Sequence, residues 1–117
     1  MGENIVADKS KAFAIRIIKF YKYLCSEHRE FIISKQILRS GTSIGANIRE
    51  SRNAQSKADF ISKMSIALKE ADETAYWLEI LIESETISNQ QFDSLYKDID
   101  ELICLLVSIV KTSRRNK

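Results

Sequence analysis

Few side chains in this sequence have the type and spacing to carry out chemistry. The only histidine, His28, lies in the polar run Ser26-Glu27-His28-Arg29-Glu30, which predicts a solvated turn rather than a site for proton transfer. Cys25 and Cys104 form neither a metal-ligand spacing nor a disulfide framework. Each lies in or beside an apolar stretch, so both are expected as buried, reduced thiols. Glu70 and Glu73 have the i, i+3 spacing of carboxylates in di-metal helical bundles. That chemistry needs a Glu-x-x-His pair on each of two helices, and the histidines are missing. There is no glycine-rich phosphate loop and no nucleophile motif. The expectation is therefore no catalytic residues, no metal or cofactor site and no small-molecule substrate: a protein that is not an enzyme.

Three groups of residues exceed what a core requires. Arg39, Ser43, Asn47 and Glu50 form a polar stripe along one helix. Arg39 is expected to pair with Glu50 locally, or with Glu70 and Glu73 on the following helix, in a buried network that sets helix register. Tyr76, Trp77, Ile80 and Leu81 lie outside the core stripe of their helix, and Ile15 and Tyr23 lie on the basic side of theirs. Aromatic and aliphatic residues so placed are typical interface anchors, predicting a homo-oligomer. Finally, Lys11, Arg16, Lys19 and Lys22, with Arg114 and Arg115 near the C-terminus, offer cations to a polyanion.

These groups must be positioned by helices. The 117 residues suit one domain; 44% are hydrophobic, 29% charged, none is proline and three are glycine. Phe13, Ala14, Ile17, Ile18, Phe20, Tyr21, Leu24 and Cys25 share half of a helical wheel, predicting a first helix over 8–26. Ser34 is the expected N-cap of a second helix over 34–52, whose Ile37, Gly41, Ile44 and Ile48 stay in phase across Gly41 and Gly45. Two glycines inside a helix are costly, so a neighbouring helix should approach closely there. Ser56-x-x-Asp59 opens a third helix over 56–83, with Phe60, Met64, Ala67, Leu68, Ala71, Ala75, Leu78 and Ile82 as its core stripe. Ser88-x-x-Gln91 opens a fourth over 88–111, whose Phe92, Leu95, Ile99, Leu102, Leu106 and Ile109 follow a 3-4 alternation. Thr112–Lys117 is expected as a frayed basic tail. The fold class is all-α, an antiparallel up-down-up-down four-helix bundle spanning 1–117. Charge divides unevenly along it. Residues 1–58 carry 11 Lys and Arg against 5 Asp and Glu, and residues 59–117 carry 7 against 11. Two basic helices are expected to pack beside two acidic ones. The N-terminus lacks the plan of a secretory signal, Val6 stands where a myristoylation signal wants Ser or Thr, and no apolar run is long enough to cross a bilayer. A cytoplasmic protein without membrane contact is expected.

The run Arg39-Ser40-Gly41-Thr42-Ser43-Ile44-Gly45-Ala46-Asn47-Ile48-Arg49-Glu50 resembles the Arg-x-x-x-Ser-Ile-x-x-Asn-Ile-x-Glu signature of the four-helix-bundle proteins encoded in 23S rRNA intervening sequences. Phe60, Ala67, Leu68, Glu73 and Trp77-Leu78 match that family's third-helix pattern. Ser51 departs from it, standing where the family often has Gly, and the end of the second helix should feel the change. The resemblance implies a bacterial homo-oligomer, a ring of five. The chain is also similar to the accessory variability determinant of diversity-generating retroelements, a pentamer with a basic surface for a reverse transcriptase and nucleic acid. By that likeness the basic side would meet RNA or a nucleic-acid-processing protein. The expected role is a non-catalytic homo-oligomeric scaffold; the alternative is a protein–protein adaptor with no nucleic-acid binding.

Overall fold

The computed structural model describes residues 2–116 and contains four helices: α1 (Gly2–Glu27), α2 (Ile33–Ser51), α3 (Lys57–Glu83) and α4 (Asn89–Arg115). Five residues join each helix to the next, too few for anything but antiparallel neighbours. Each helix packs along those adjacent in sequence, and α1 closes onto α4 through the thinnest of the four seams. The result is the expected up-down-up-down bundle, 48 × 21 × 19 Å. No helix is long and apolar enough to cross a membrane among the described residues.

The buried positions explain why these segments fold together. Val6, Ser10, Phe13, Ile17, Phe20 and Leu24 on α1 recur every three or four residues. So do Ser34, Ile37, Gly41, Ile44, Ile48 and Ser51 on α2, and Met64, Ala67, Ala71, Thr74, Leu78 and Leu81 on α3. That 3.5-residue period is the seam of knobs-into-holes packing. Small polar residues occupy it because each hydroxyl is satisfied. Ser10 donates to the Ala7 carbonyl, Ser34 to that of Glu30 and Ser51 to that of Ile48. Thr74 bonds both the Ser40 hydroxyl and the Glu70 carbonyl at 2.8 Å. A hydroxyl so paired can be buried at little cost.

Helix ends correct several expectations. α1 starts at Gly2 rather than near Asp8, because Val6 and Ser10 continue its buried stripe. It stops where Arg29 enters the left-handed region at φ 50° and the Glu30 N–H reaches back to the Leu24 carbonyl at 3.0 Å, a Schellman-type close. Ser34 is not the N-cap of α2; it is buried in the first turn. The capping acceptor is the Glu30 carboxylate, which takes the N–H groups of Ile32, Ile33 and Ser34 at 3.2, 3.0 and 2.6 Å. Ser56 caps α3 through the Asp59 N–H, while Asp59 accepts from Gln55 rather than from the cap residue. The Ser88/Gln91 capping box is complete. α4 runs on to Arg115, so the tail expected from Thr112 is mostly its last turn; Lys117 lies outside the described residues. Ser51, where the family motif often has Gly, is the last residue of α2 and is buried.

Gly41 and Gly45 mark a close approach. A Cβ on Gly41 would stand 2.9 Å from both Cγ atoms of Ile17, and one on Gly45 would stand 3.3 Å from Ser10 Oγ. The missing side chains let α1 settle against α2, offsetting about 1 kcal/mol of helix propensity lost at each glycine.

Candidate assembly and nucleic-acid surfaces

The polar stripe of α2 resolves into separate devices. Arg39 forks across the α2–α3 seam, with one guanidinium nitrogen on Glu70 at 3.2 and 3.3 Å and the other on Glu73. Glu73 also accepts from the Trp77 indole N–H at 3.0 Å. These bonds from Arg39 and then Trp77 hold the Glu73 carboxyl below its ordinary range. The expected partners Glu70 and Glu73 are therefore found, but the network is not buried: half of the Arg39 side chain is exposed. Glu50 is not part of it. Eleven residues along α2 amount to about 16 Å, beyond the reach of Arg39, and Glu50 pairs instead with Lys63 of α3 at 2.9 Å. Ser43 and Asn47 bond inside their own helix, to the carbonyls of Arg39 and Ser43.

The residues expected as one oligomer interface separate as well. Leu81 is a core residue, 1% exposed. The buried stripe of α3 runs through Thr74 and Leu81, whereas a stripe drawn through Ala75 and Ile82 leaves Leu81 outside. Trp77 and Ile80 are half-buried, and Tyr23 is half-buried with its hydroxyl 3.1 Å from His28 Nε2. Ile15 at 49% and Tyr76 at 53% are exposed. They lie on α1 and α3, which sit across the bundle diagonal, so two exposed apolar side chains face opposite sides. Ile5 and Ile18 are further exposed apolar residues of α1, and Ile66 of α3.

The six cations do not form one face. Lys11, Lys19 and Lys22 are exposed along the outside of α1. Arg16 is engaged by α4: it meets Asp98 Oδ2 at 2.5 Å, the Ser94 hydroxyl at 2.8 Å and the Ser94 carbonyl at 3.3 Å. Lys9 repeats the pattern with Glu101 at 3.2 Å. Arg114 and Arg115 are exposed in the last turn of α4, on another helix. Ion pairs thus join the basic α1–α2 half to the acidic α3–α4 half at both seams, as the charge division led us to expect.

Three features escaped the sequence reading. The Ser40–Thr74 bond ties α2 to α3 inside the core. Tyr96 of α4 donates to Glu79 of α3 at 2.8 Å; that bond, followed by burial, pushes its phenol up to about 12. Neither pair has a sequence signature, because both depend on which turns of two helices face each other. Cys104 is exposed rather than buried, midway between the seam residues Leu102 and Leu106 and so on the opposite face of α4, and Cys25 is half-buried beside Ser34. No group of three or more His, Cys, Asp or Glu is arranged to hold a metal ion among the described residues.

The sequence profile described as "23S rRNA-intervening sequence protein" matches residues 2–108. Among solved structures, the chain is similar to a protein of unknown function from the S23 ribosomal protein family of Bacteroides thetaiotaomicron. The two are 59% identical, with 95% of this chain and 99% of that one covered and a TM-score of 0.93. No curated protein matches. The match spans all four helices, including the Arg39–Glu50 segment that supplies the α2–α3 fork and the glycine contact with α1. The chain belongs to the 23S rRNA-intervening sequence protein family.

Proposed function

We propose that the chain is a non-catalytic scaffold that assembles with copies of itself and meets RNA through the outward side of its basic half. The observation that carries this reading is the pair of exposed apolar side chains on opposite sides of the bundle, Ile15 on α1 and Tyr76 on α3. Two different anchors facing opposite ways suit a heterologous, head-to-tail contact, which closes into a ring when the rotation per subunit allows. A ring of five is what the family resemblance implies. RNA association is supported by the cations left exposed on α1 after Lys9 and Arg16 are taken up by α4.

Sedimentation of two variants and of their mixture tests the assembly. Ile15→Glu and Tyr76→Glu should each be monomeric, since each lacks one half of the contact. Mixed together they should form a dimer and stop there, because each retains the anchor that the other has lost. A wild-type monomer at all concentrations would overturn the reading and favour an adaptor for other proteins. Two variants that fail to complement would point to a self-complementary interface instead.

A further inference from the structure

We infer that the outer groove between α1 and α2 is a phosphate-binding trough for a nucleic-acid backbone, with Lys11, Arg49 and Arg52 as its cations. The inference rests on the proposed RNA association and gives it a place. Small residues create the trough. Ala7 and Ala14 of α1 face Gly45 and Ala46 of α2, so no side chain fills the seam from outside, and a groove of about 470 Å³ is left. Lys11 stands on its α1 wall, Arg49 on its α2 wall and Arg52 just beyond it, at the C-cap of α2.

Four cations at the other seams are neutralised by close partners. Lys9, Arg16, Arg39 and Lys63 each pair with a carboxylate. Lys11, Arg49 and Arg52 have no ion pair among the described residues, and Asp8 is the one acid lining the groove. Three positive charges against one negative charge therefore line a concave surface. Arg49 and Arg52 are three residues apart, about 4.5 Å along the helix axis. Their planar guanidinium groups suit phosphate oxygens, to which they can donate in parallel pairs. Among the described residues no aromatic lines the groove, so these offer bases nothing to stack on. Contacts of this kind position a backbone without reading its sequence.

The test is binding of a fluorescently labelled, unstructured 15-nucleotide RNA, followed by anisotropy at 50 and 200 mM salt, with the mass of each protein measured by light scattering. Neutralising three phosphates of a single strand gives a salt exponent of about −2, so wild-type affinity should fall roughly 20-fold between the two conditions. Arg49→Glu with Arg52→Glu should weaken binding at least tenfold and flatten the salt dependence. Arg49→Gln with Arg52→Gln should do the same to a smaller extent, and all masses should stay as in the wild type. A second RNA of unrelated sequence should bind equally.

Three results would overturn the inference, and they are distinguishable. Loss of binding in Lys19→Glu/Lys22→Glu, with the Arg49/Arg52 variants unaffected, leaves RNA association standing but moves it out of the groove. A changed mass in the Arg49/Arg52 variants makes the groove a contact between copies, filled by the acidic half of a neighbour. No wild-type binding at 50 mM salt removes the groove assignment and the RNA reading together, leaving the assembly reading to its own test.

Discussion

α2 and α4 occupy equivalent places, each lying between α1 and α3, yet they fill them by opposite means. Four of the seven buried residues of α2 are serine or glycine: Ser34, Ser40, Gly41 and Ser51. Those of α4 are all aliphatic: Leu95, Ile99, Leu102, Leu106 and Val110. Helix separation follows the size of the side chains at the contact. α2 can therefore touch its neighbours almost backbone to side chain and add hydrogen bonds across the seam. α4 meets its neighbours through bulky groups, and its thin seam with α1 is spanned by long charged side chains, Lys9 and Arg16. That seam also leaves a groove of about 510 Å³ lined by residues such as Phe20, Tyr23 and Leu95. One core is thus closed by fit on one side and by volume on the other.

The contrast can be broken from either side. Leu102→Ala in α4 empties space that no neighbour can refill and should cost about 2–5 kcal/mol, read from the urea midpoint. Gly41→Ala in α2 does the reverse. Its new Cβ would stand 2.9 Å from Ile17, on atoms close to the backbone, giving about 1–3 kcal/mol of overpacking against about 1 kcal/mol regained in helix propensity. The control is Gly45→Ala, where only Ser10 Oγ must give a little; it should be neutral or slightly stabilising. Equal losses at the two glycines would sink the claim that the contact with Ile17 sets the α1–α2 spacing.

Smaller effects test the charged contacts. Arg39→Ala should cost about 1 kcal/mol, discounted because the guanidinium is half exposed. Its pH dependence has a definite sign. Glu73 has a lowered folded value, so its contribution is present above the ordinary 4.5 and is lost as pH falls through the folded value. Wild type and Arg39→Ala should therefore converge in stability as the solution is acidified below 4.5. Arg16→Ala, which removes a partly exposed pair with Asp98, should cost only about a few tenths of a kcal/mol, and less at high salt.

The same contrast explains what could be read from the sequence. α4 was legible because its seam is written in leucine and isoleucine. α2 was legible because Ile37, Ile44 and Ile48 keep phase across the glycines. α3 was misread at Leu81 and α1 at its start, and the cause is common to both. Thr74 and Ser10 lie in the buried stripe, but a polar residue does not register as core until its hydroxyl partner is known. The Arg39 partners could be anticipated from charge and helix order. The exclusion of Glu50 could not, because it depends on how far along the seam each helix is displaced. Cations on one helix likewise look like one face until Arg16 is seen to turn toward α4.

The bond from Glu73 to the Trp77 indole has a practical consequence. Trp77 is the sole tryptophan in the chain, so the protein's intrinsic fluorescence comes from a reporter wired to the Arg39 fork. Protonation of Glu73, loss of Arg39 or separation of α2 from α3 each alters the charge beside the indole before the core is exposed. Emission and helical circular dichroism followed together should distinguish opening of that seam from unfolding of the bundle, without an added label.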